Sequence, residues 1–450
     1  MSKFAYTFLL LFLAFSVAVR LYINKPESLP RNRDLKFEAT VKNEPKIYDT
    51  GQVISVANAK IYVGLYPRYR VGDRILVSGK INDSGKMFQA KVEKIGSGGG
   101  LSAFLGVFRD KISGNINSLM SVREATLISG AVLGVDSIGQ RFHDELVKTG
   151  TIHVVVVSGQ NLMIVAGIFM ALAPYIGRKK SVVLATFAVF AYAFITGFEP
   201  PVLRAALMVL VTTLALYFGR ETNVLWTMGI AGALIVFVFP QSLFEVSFQL
   251  TFAASFGIVT LGKYLEGVFN GFVGHALALD YFLSRDQRLV VSLHRTFDSQ
   301  NSKIVPSKAV SLRIVGGSTA ATPFDMIGIS LVQNAAIATS AYLFTAPIII
   351  FYFGRISPIA PIANILVAEA VFPMMILGFA TAILSLIFMP LAQVLAYLAF
   401  VPAFYFSQVV RIFAALPFAQ YSFGQGNWIL ATGIYLILLS FLWITRAKRY

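Results

Sequence analysis

The stretch "GTIHVVVVSGQN" combines an imidazole, a hydroxyl and an amide within an otherwise apolar run: His153, Ser158 and Asn161, with Gly159 between the last two. An ionisable group at membrane depth is a functional hypothesis by default, because lipid offers it no hydrogen bonds. An unbroken helix would place His153 and Asn161 near one face. Alternatively, the valine run followed by Ser158 and Gly159 marks a broken helix, which is tolerated where it lines a cavity or lies within protein.

The stretch "TGFEPPVLRAALM" places a stiff turn before a second polar group. Glu199, Pro200 and Pro201 form this structural turn, and proline suits the first position of a helix. Arg204 then lies one turn inside an apolar run. Its side chain must extend to the interface, pair with Glu199 or face water.

The stretch "FEVSFQLTFAAS" carries Gln249 among hydroxyl side chains. Ser247, Thr251 and Ser255 follow one another at intervals of four residues, so a helix brings them to the same stripe. These positions predict a polar stripe on an apolar helix.

A fourth apolar stretch contains Gln333 and Asn334. Ser, Thr, Asn and Gln side chains also hold membrane helices together through hydrogen bonds, which is the simpler interpretation for all four stretches. His153 and Arg204 differ because they are ionisable, so both alternatives stay open for them.

The composition predicts an integral membrane protein. The 450 residues are 56% hydrophobic and 13% charged, with a mean hydropathy of +0.70, whereas soluble domains average about 25% charged residues. The net charge of +16 fits either positive-inside anchoring or a polyanionic partner. The sequence has no cysteine, and its four histidines lack metal-ligand spacing, so we expect neither a metal site nor a cofactor.

Five regions organise the chain. Residues 1–23 predict a retained transmembrane anchor rather than a cleaved signal peptide. Residues 24–96 predict an extracytoplasmic β-barrel of the OB type, and residues 97–122 a linker with an amphipathic interfacial helix. Residues 123–450 predict a transmembrane domain interrupted by a soluble loop at 264–325.

The barrel prediction depends on five short runs with near-alternation of apolar residues, namely "KFEATV", "QVISVA", "AKIYVG", "DRILVSGKI" and "FQAKVEKI". Residues 24–100 hold 14 Lys or Arg against 8 Asp or Glu. Such a basic barrel either binds single strands or is a solvated structural domain. The aromatic residues available for stacking are Phe37, Tyr48, Tyr62, Tyr66, Tyr69 and Phe88.

About ten membrane spans are predicted, which makes the fold class a polytopic α-helical membrane protein. The apolar runs are 4–23, 151–174, 181–197, 201–218, 224–239, 243–262, 326–352, 359–389, 391–413 and 428–445. With both termini in the cytoplasm, most short basic clusters fall inside, as positive-inside bias requires. The protein is predicted to lie in the cytoplasmic (plasma) membrane. In this orientation the barrel is outside the cell membrane and the 264–325 loop is on the cytoplasmic side.

The polar stretches, in their order along the chain, resemble the ComEC competence channel family. "TGTIHVVVVSGQN" is similar to its H-x-x-x-x-S-G pattern, and "TGFEPPVLRAALM" to its P-x-x-R-A signature. "SFQLTFAAS" resembles its F-Q-L-S segment, and "FGRISPIAPIANILV" its F-G-x-x-S-P and N-x-L-x segment. The resemblance covers roughly residues 120–390, and the barrel after a first helix fits the family layout.

The resemblance implies a channel, not an enzyme, that translocates single-stranded DNA into the cytoplasm during natural transformation. It implies that the DNA path is lined or braced by His153, Ser158, Gly159, Asn161, Arg204, Gln249, Gln333 and Asn334. The implied partners are the phosphate backbone, bound without regard to sequence, the lipid bilayer, a DNA receptor and a cytoplasmic motor. Assembly as a homo-oligomer is left open.

Two departures from the family pattern stand out. Asn161 occupies a position where the family usually has a second histidine, so a role needing an imidazole there is not carried over. The metallo-β-lactamase-like domain of many members has no counterpart among these residues, so degradation of the other strand is expected from another protein. The alternatives are a transporter or flippase of another polyanionic or lipid-linked substrate, and a membrane scaffold.

Overall fold

The computed structural model describes residues 33–41, 45–48, 51–56, 59–70, 72–82, 85–88, 90–96, 101–135, 137–155, 158–197, 200–218, 224–283, 323–424 and 426–447. The predicted N-terminal anchor, Glu199 and residues 284–322 of the predicted loop lie outside these ranges. The chain divides into two compact units. One comprises residues up to Phe252 with Ile356–Ser422, and the other Ala253–Arg355 with Phe423 onwards.

The N-terminal region consists of two small sheets. The strands are β1 (Asp34–Thr40), β2 (Lys46–Tyr48), β3 (Gly51–Val56), β4 (Ala59–Val63), β5 (Arg74–Lys80), β6 (Lys86–Met87) and β7 (Lys91–Gly96). Five of them correspond to the predicted runs, whereas the short β2 and β6 were not predicted. The sheets have the orders β1-β5-β7 and β2-β3-β4-β6, so the predicted OB-like barrel is not confirmed, because no closed barrel forms.

The two sheets, residues 34–96, are called the β domain. It has its own apolar core, which contains the fully buried side chains of Ile54, Ile61, Ile75 and Met87. Tyr69 is also buried, and its hydroxyl donates a hydrogen bond to the carbonyl of Val92 at 2.7 Å. Burial, and secondarily the charge of Asp73, raises the pKa of Tyr69 above its ordinary value. The hydroxyl therefore keeps its proton and remains a donor.

Helices follow the β domain. They are α1 (Leu101–Leu119), α2 (Val122–Leu133), α3 (Gln140–Thr149), α4 (Ile152–Val155), α5 (Gly159–Met170), α6 (Ala173–Ile176), α7 (Arg178–Ile195), α8 (Pro200–Tyr217), α9 (Val224–Val238), α10 (Val246–Leu283), α11 (Pro323–Phe353), α12 (Ala360–Ile387), α13 (Met389–Ala414) and α14 (Trp428–Ala447). A 3₁₀ helix covers Pro240–Phe244, and short strands β8 (Arg355–Ile356) and β9 (Tyr421–Ser422) flank α12 and α13.

Helix α2 is the centre of the first unit. Every residue from Glu124 to Leu133 is buried. Helix α12 approaches it closely at Gly378, where an added Cβ would lie 2.8 Å from Cγ2 of Ile128. A glycine is needed at this crossing because any side chain would collide with α2.

Four described helices or helix pairs are long and apolar enough to cross a membrane: Gly159–Ile176, Leu331–Phe353, Ala360–Ile387 and Met389–Ala414. Shorter apolar helices cover Pro201–Ala215, Val224–Val238 and Trp428–Ile444. The chain is therefore a mostly helical membrane protein, and the finer prediction of about ten spans is not confirmed.

The second unit packs α10, α11 and α14. Gly257 lets α10 approach α11, since an added Cβ would lie 2.5 Å from the carbonyl oxygen of Ser340. The hydroxyl of Tyr435 in α14 donates to the carbonyl of Phe344 at 2.9 Å. Helix α10 continues to Leu283, so residues 264–283 of the predicted soluble loop are helical.

Candidate functional site

The predicted span at 151–174 is interrupted rather than continuous. Helix α4 ends at Val155, and Ser158 is extended (φ −115°, ψ 168°) before α5 begins at Gly159. His153 is exposed, whereas Asn161 is 1% exposed. The structure therefore has the broken helix of the two alternatives, and the shared face that an unbroken helix would give to His153 and Asn161 does not apply.

The side chain of Asn161 forms a hydrogen bond with the C-terminal end of helix α2. Its Nδ2 donates to the carbonyl oxygen of Ala131 at 3.2 Å, and its Oδ1 accepts from the hydroxyl of Ser158 at 3.2 Å. The hydroxyl of Tyr192 donates to the same Ala131 carbonyl at 2.6 Å. Carbonyls in the last turn of a helix lack intrahelical partners, so these two side chains satisfy a group that burial would otherwise leave costly.

We expect the effects of Asn161→Ala and Tyr192→Phe on stability to be more than additive. Either single change leaves the Ala131 carbonyl one donor, whereas the double change leaves it buried without a side-chain donor. An unsatisfied buried group costs about 1–3 kcal/mol, against about 0.5–1.5 kcal/mol for an ordinary hydrogen bond. Thermal unfolding of the four proteins in detergent measures the coupling, and strict additivity would show that the shared acceptor is unimportant.

Arg204 is the largest fully buried side chain among the described residues, at 2% exposure. Its Nη2 donates to the hydroxyl of Ser247 at 2.7 Å, to the Ser247 carbonyl at 3.1 Å and to the hydroxyl of Thr251 at 3.2 Å. The stripe predicted from the spacing of Ser247 and Thr251 is therefore the surface that Arg204 contacts. The guanidinium fastens helix α8 to the first turns of α10.

The charge of Arg204 is only partly compensated. The carboxylate of Glu245, just before α10, acts on it electrostatically. Within the described part of the chain, its Nε has no hydrogen-bond partner. The predicted pairing with Glu199 cannot be assigned, because Glu199 lies outside that part. A buried cation with a spare donor is costly unless a further polar or anionic group approaches it.

Gly159, Pro200 and Pro201, which lie near Arg204 in the sequence or the structure, have local structural roles. Gly159 faces α8, where an added Cβ would make an ordinary contact at 3.4 Å with Cβ of Ala205. Helix α8 begins at Pro200, followed by Pro201, as the proline pair predicts.

The remaining predicted site residues belong to both units. Gln249 belongs to the first unit, and its Nε2 donates to the carbonyl of Leu243 at 3.2 Å. Gln333 is exposed and Asn334 half-buried, both on α11 in the second unit. The structure therefore brings together Ser158 with Asn161, and Arg204 with the hydroxyls of α10. His153 is an exposed polar group of the first unit, and Gln333 is one of the second.

Glu124, whose carboxyl group is buried, was not among the residues predicted from the sequence. Glu124, in the first turn of α2, accepts hydrogen bonds from the hydroxyls of Ser121 and of Ser407, the latter at 2.7 Å. The S-x-x-E spacing of Ser121 and Glu124 is the signature of a capping box and could have located it. Its partner Ser407 lies in α13, far along the chain, and no local pattern indicates that contact.

The sequence matches one family of known proteins over most of its length. The model of the family described as "Competence protein" matches residues 132–448. An uncharacterized protein of Aquifex aeolicus (strain VF5) is 35% identical over 120 residues, 26% of this chain and 28% of that protein. ComE operon protein 3 of Bacillus subtilis (strain 168) is 32% identical over 146 residues, 29% of this chain and 18% of that protein.

Less than a third of either relative is therefore covered, and no solved structure matches the chain. The family match includes the interrupted helix, Arg204 with its partners on α10, and the helices from α3 to α14, whereas α1 and most of α2 precede it. The chain belongs to the competence protein family.

Proposed function

We propose that this protein is the membrane component through which single-stranded DNA enters the cytoplasm during natural transformation. The observation that carries the proposal is the family match over residues 132–448. The name of the Bacillus subtilis relative, ComE operon protein 3, agrees with it. A net charge of +16 suits a polyanionic substrate, since each phosphate of the strand is negative.

In this proposal the polar residues have two kinds of role. Asn161 and Arg204 are buried and hydrogen-bonded, so they brace the helices that enclose the path. His153 is exposed beside the interruption and would line the path. Ser158 and Gly159 stand at the interruption of the helix. Non-helical backbone at membrane depth is tolerated only when it is buried in protein or lines a water-filled cavity, and in this proposal the DNA path is that cavity. For Gln249, Gln333 and Asn334, lining the path stays a prediction.

Deletion of the gene followed by complementation tests the function. We expect the deletion strain to lose uptake of labelled DNA and the wild-type gene to restore it. A DNA channel predicts salt-sensitive binding without sequence preference. A flippase would instead require a lipid phosphate substrate, and a scaffold would lose function only with those variants that also lower the amount of protein in the membrane. Undiminished uptake by the deletion strain would contradict the proposal.

The predicted topology has a direct test because the native sequence contains no cysteine. Thr40→Cys, in β1, and Lys179→Cys, in α7, both replace exposed residues. Positive-inside bias puts the β domain outside and the basic cluster at 178–180 inside. On whole cells, we therefore expect a membrane-impermeant thiol reagent to label Thr40→Cys and not Lys179→Cys. The reverse pattern would invert the orientation, and labelling of both after lysis is the control.

A further inference from the structure

The second sheet of the β domain has a basic outer face. Strands β4 and β6 are parallel, with Lys60 opposite Lys86 and Ile61 opposite Met87. Ile61 and Met87 are fully buried. Because side chains alternate between the faces of a sheet, Lys60 and Lys86 belong to the opposite, outer face. Two cationic side chains therefore lie side by side on the surface of this sheet.

Two aromatic rings continue the same face. Tyr62 follows Lys60 by two residues within β4, so alternation puts its ring on the outer face as well. Phe88 lies one residue beyond β6, and its ring stacks on that of Tyr62. Their ring centroids are 4.7 Å apart and the ring planes differ by 20°, which is a stacked pair. Phe88 nevertheless keeps 56% of its surface exposed. The free face of the Phe88 ring is therefore open to a flat ligand that stacks on it.

Hydrogen bonds fix the backbone of Lys60 and Lys86 on this face. Asn82 accepts at its Oδ1 a hydrogen bond from the backbone N–H of Lys86 at 2.8 Å, and its own N–H donates to the Lys86 carbonyl at 3.0 Å. The N–H of Lys60 donates to the carbonyl of Gly85 at 2.9 Å. The backbones of Lys60 and Lys86 are therefore held by hydrogen bonds, so this part of the backbone needs little ordering when a ligand binds.

The other aromatic residues of the domain have different surroundings. Tyr69 belongs to the core, and Phe37 packs partly buried against it. Among the described side chains of the domain, Tyr62 and Phe88 combine stacking with an exposed ring and with neighbouring lysines, whereas Tyr66 is exposed at 80%. Sequence order alone gives no sign of this, because 26 positions separate the two residues.

We propose that Tyr62 and Phe88, flanked by Lys60 and Lys86, form a base-stacking platform for single-stranded DNA on the β domain. The rings would receive an unpaired base, and the lysines would contact the phosphates on either side of it. Stacked aromatic rings beside cations are how sequence-independent single-strand sites bind. An acidic peptide would use the lysines but not the ring faces, and a lipid interface would use the rings. The biological use of the platform rests on the proposed function, whereas its chemistry does not.

The test measures binding of two fluorescent oligonucleotides to the full-length protein in detergent. One is oligo-dT, and the other is an abasic strand of the same length and charge. We expect wild type to prefer oligo-dT. Phe88→Ala should weaken oligo-dT binding about 5- to 150-fold, the equivalent of one lost base stack, with little change for the abasic strand. Phe88→Trp should retain the preference.

Charge variants separate stacking from phosphate contact. Lys60→Glu should weaken both strands alike and flatten the dependence of affinity on salt. Lys36→Glu makes the same charge change at an exposed position of β1, in the first sheet, and should leave both affinities near wild type. Tyr62→Ala should resemble Phe88→Ala, because each removes one ring of the same stack.

Three results would overturn the platform. One is an equal loss for oligo-dT and the abasic strand in Phe88→Ala, which would indicate a folding defect or a purely ionic site. Another is unchanged binding by every variant. The third is a Phe88→Cys protein whose attached polarity-sensitive dye reports an apolar environment in lipid nanodiscs without DNA, which would place the ring in the membrane interface. The deletion experiment reads uptake in cells, so either proposal can fail without the other.

Discussion

Arg204→Ala is expected to abolish DNA uptake. The substitution removes the charged donor that joins α8 to Ser247 and Thr251 of α10. Each hydrogen bond to a charged group contributes about 1.5–3 kcal/mol, so loss of the set should loosen this helix pair. Arg204→Lys keeps a charge but loses the planar fork, and should retain part of the uptake. Transformant counts and the amount of protein in the membrane are measured together for each variant.

The partner residues distinguish a structural clamp from a direct action of the charge. Ser247→Ala with Thr251→Val removes the two hydroxyls and keeps Arg204. If Arg204 only fastens helices, this double variant and Arg204→Gln should lose protein and uptake in parallel. If its charge acts directly on phosphates and the two hydroxyl contacts are dispensable for folding, Arg204→Gln should lose uptake at a normal protein level while the double variant keeps it. Arg178→Ala, at an exposed position, is the matched control.

The alternative in which Arg204 pairs with Glu199 makes a separate prediction. In that case Glu199→Gln should reduce uptake and protein level as much as Arg204→Ala does. The hydrogen bonds from Arg204 to α10 predict a smaller effect of Glu199→Gln. Normal uptake by a well-expressed Arg204→Ala protein would exclude every functional role given to this residue.

Gly150→Ala is expected to destabilise the first unit strongly. Gly150 ends helix α3 in the left-handed region, at φ 68°. A residue with a side chain is less stable in this conformation by about 1–2 kcal/mol. An added Cβ would also lie 2.7 Å from Cβ of Ala360, well inside the contact distance of about 3.5–4.0 Å for carbon atoms. Ala360 is buried at the start of α12. The change would push α12 away from the segment that leads to His153.

Gly424→Ala is the matched control for this substitution. Gly424 has a similar φ of 81°, but an added Cβ there meets nothing within 4 Å. It therefore reports backbone strain without collision. We expect the melting temperature in detergent to fall clearly further for Gly150→Ala than for Gly424→Ala, with a matching loss of protein in the membrane. Equal falls would mean that α12 adjusts and that the close contact is unimportant.

Composition and local periodicity determined the class of this protein. The apolar fraction predicted a helical membrane protein, and alternation located the five longer strands, because both patterns arise from neighbours in the chain. The four-residue spacing of Ser247 and Thr251 predicted their shared stripe for the same reason. The family resemblance carried by the motifs was confirmed by the match over residues 132–448.

The tertiary structure decided which polar groups meet. Asn161 and Tyr192 converge on the Ala131 carbonyl, and Glu124 meets Ser407, although wide sequence separations divide them. Such contacts follow from how helices pack, and no periodicity within one segment encodes them. The same holds in the β domain, where the pairing of β4 with β6 stacks Phe88 on Tyr62. Residue type shows that a side chain can form a hydrogen bond or a stack, and only the packing of distant segments supplies its partner.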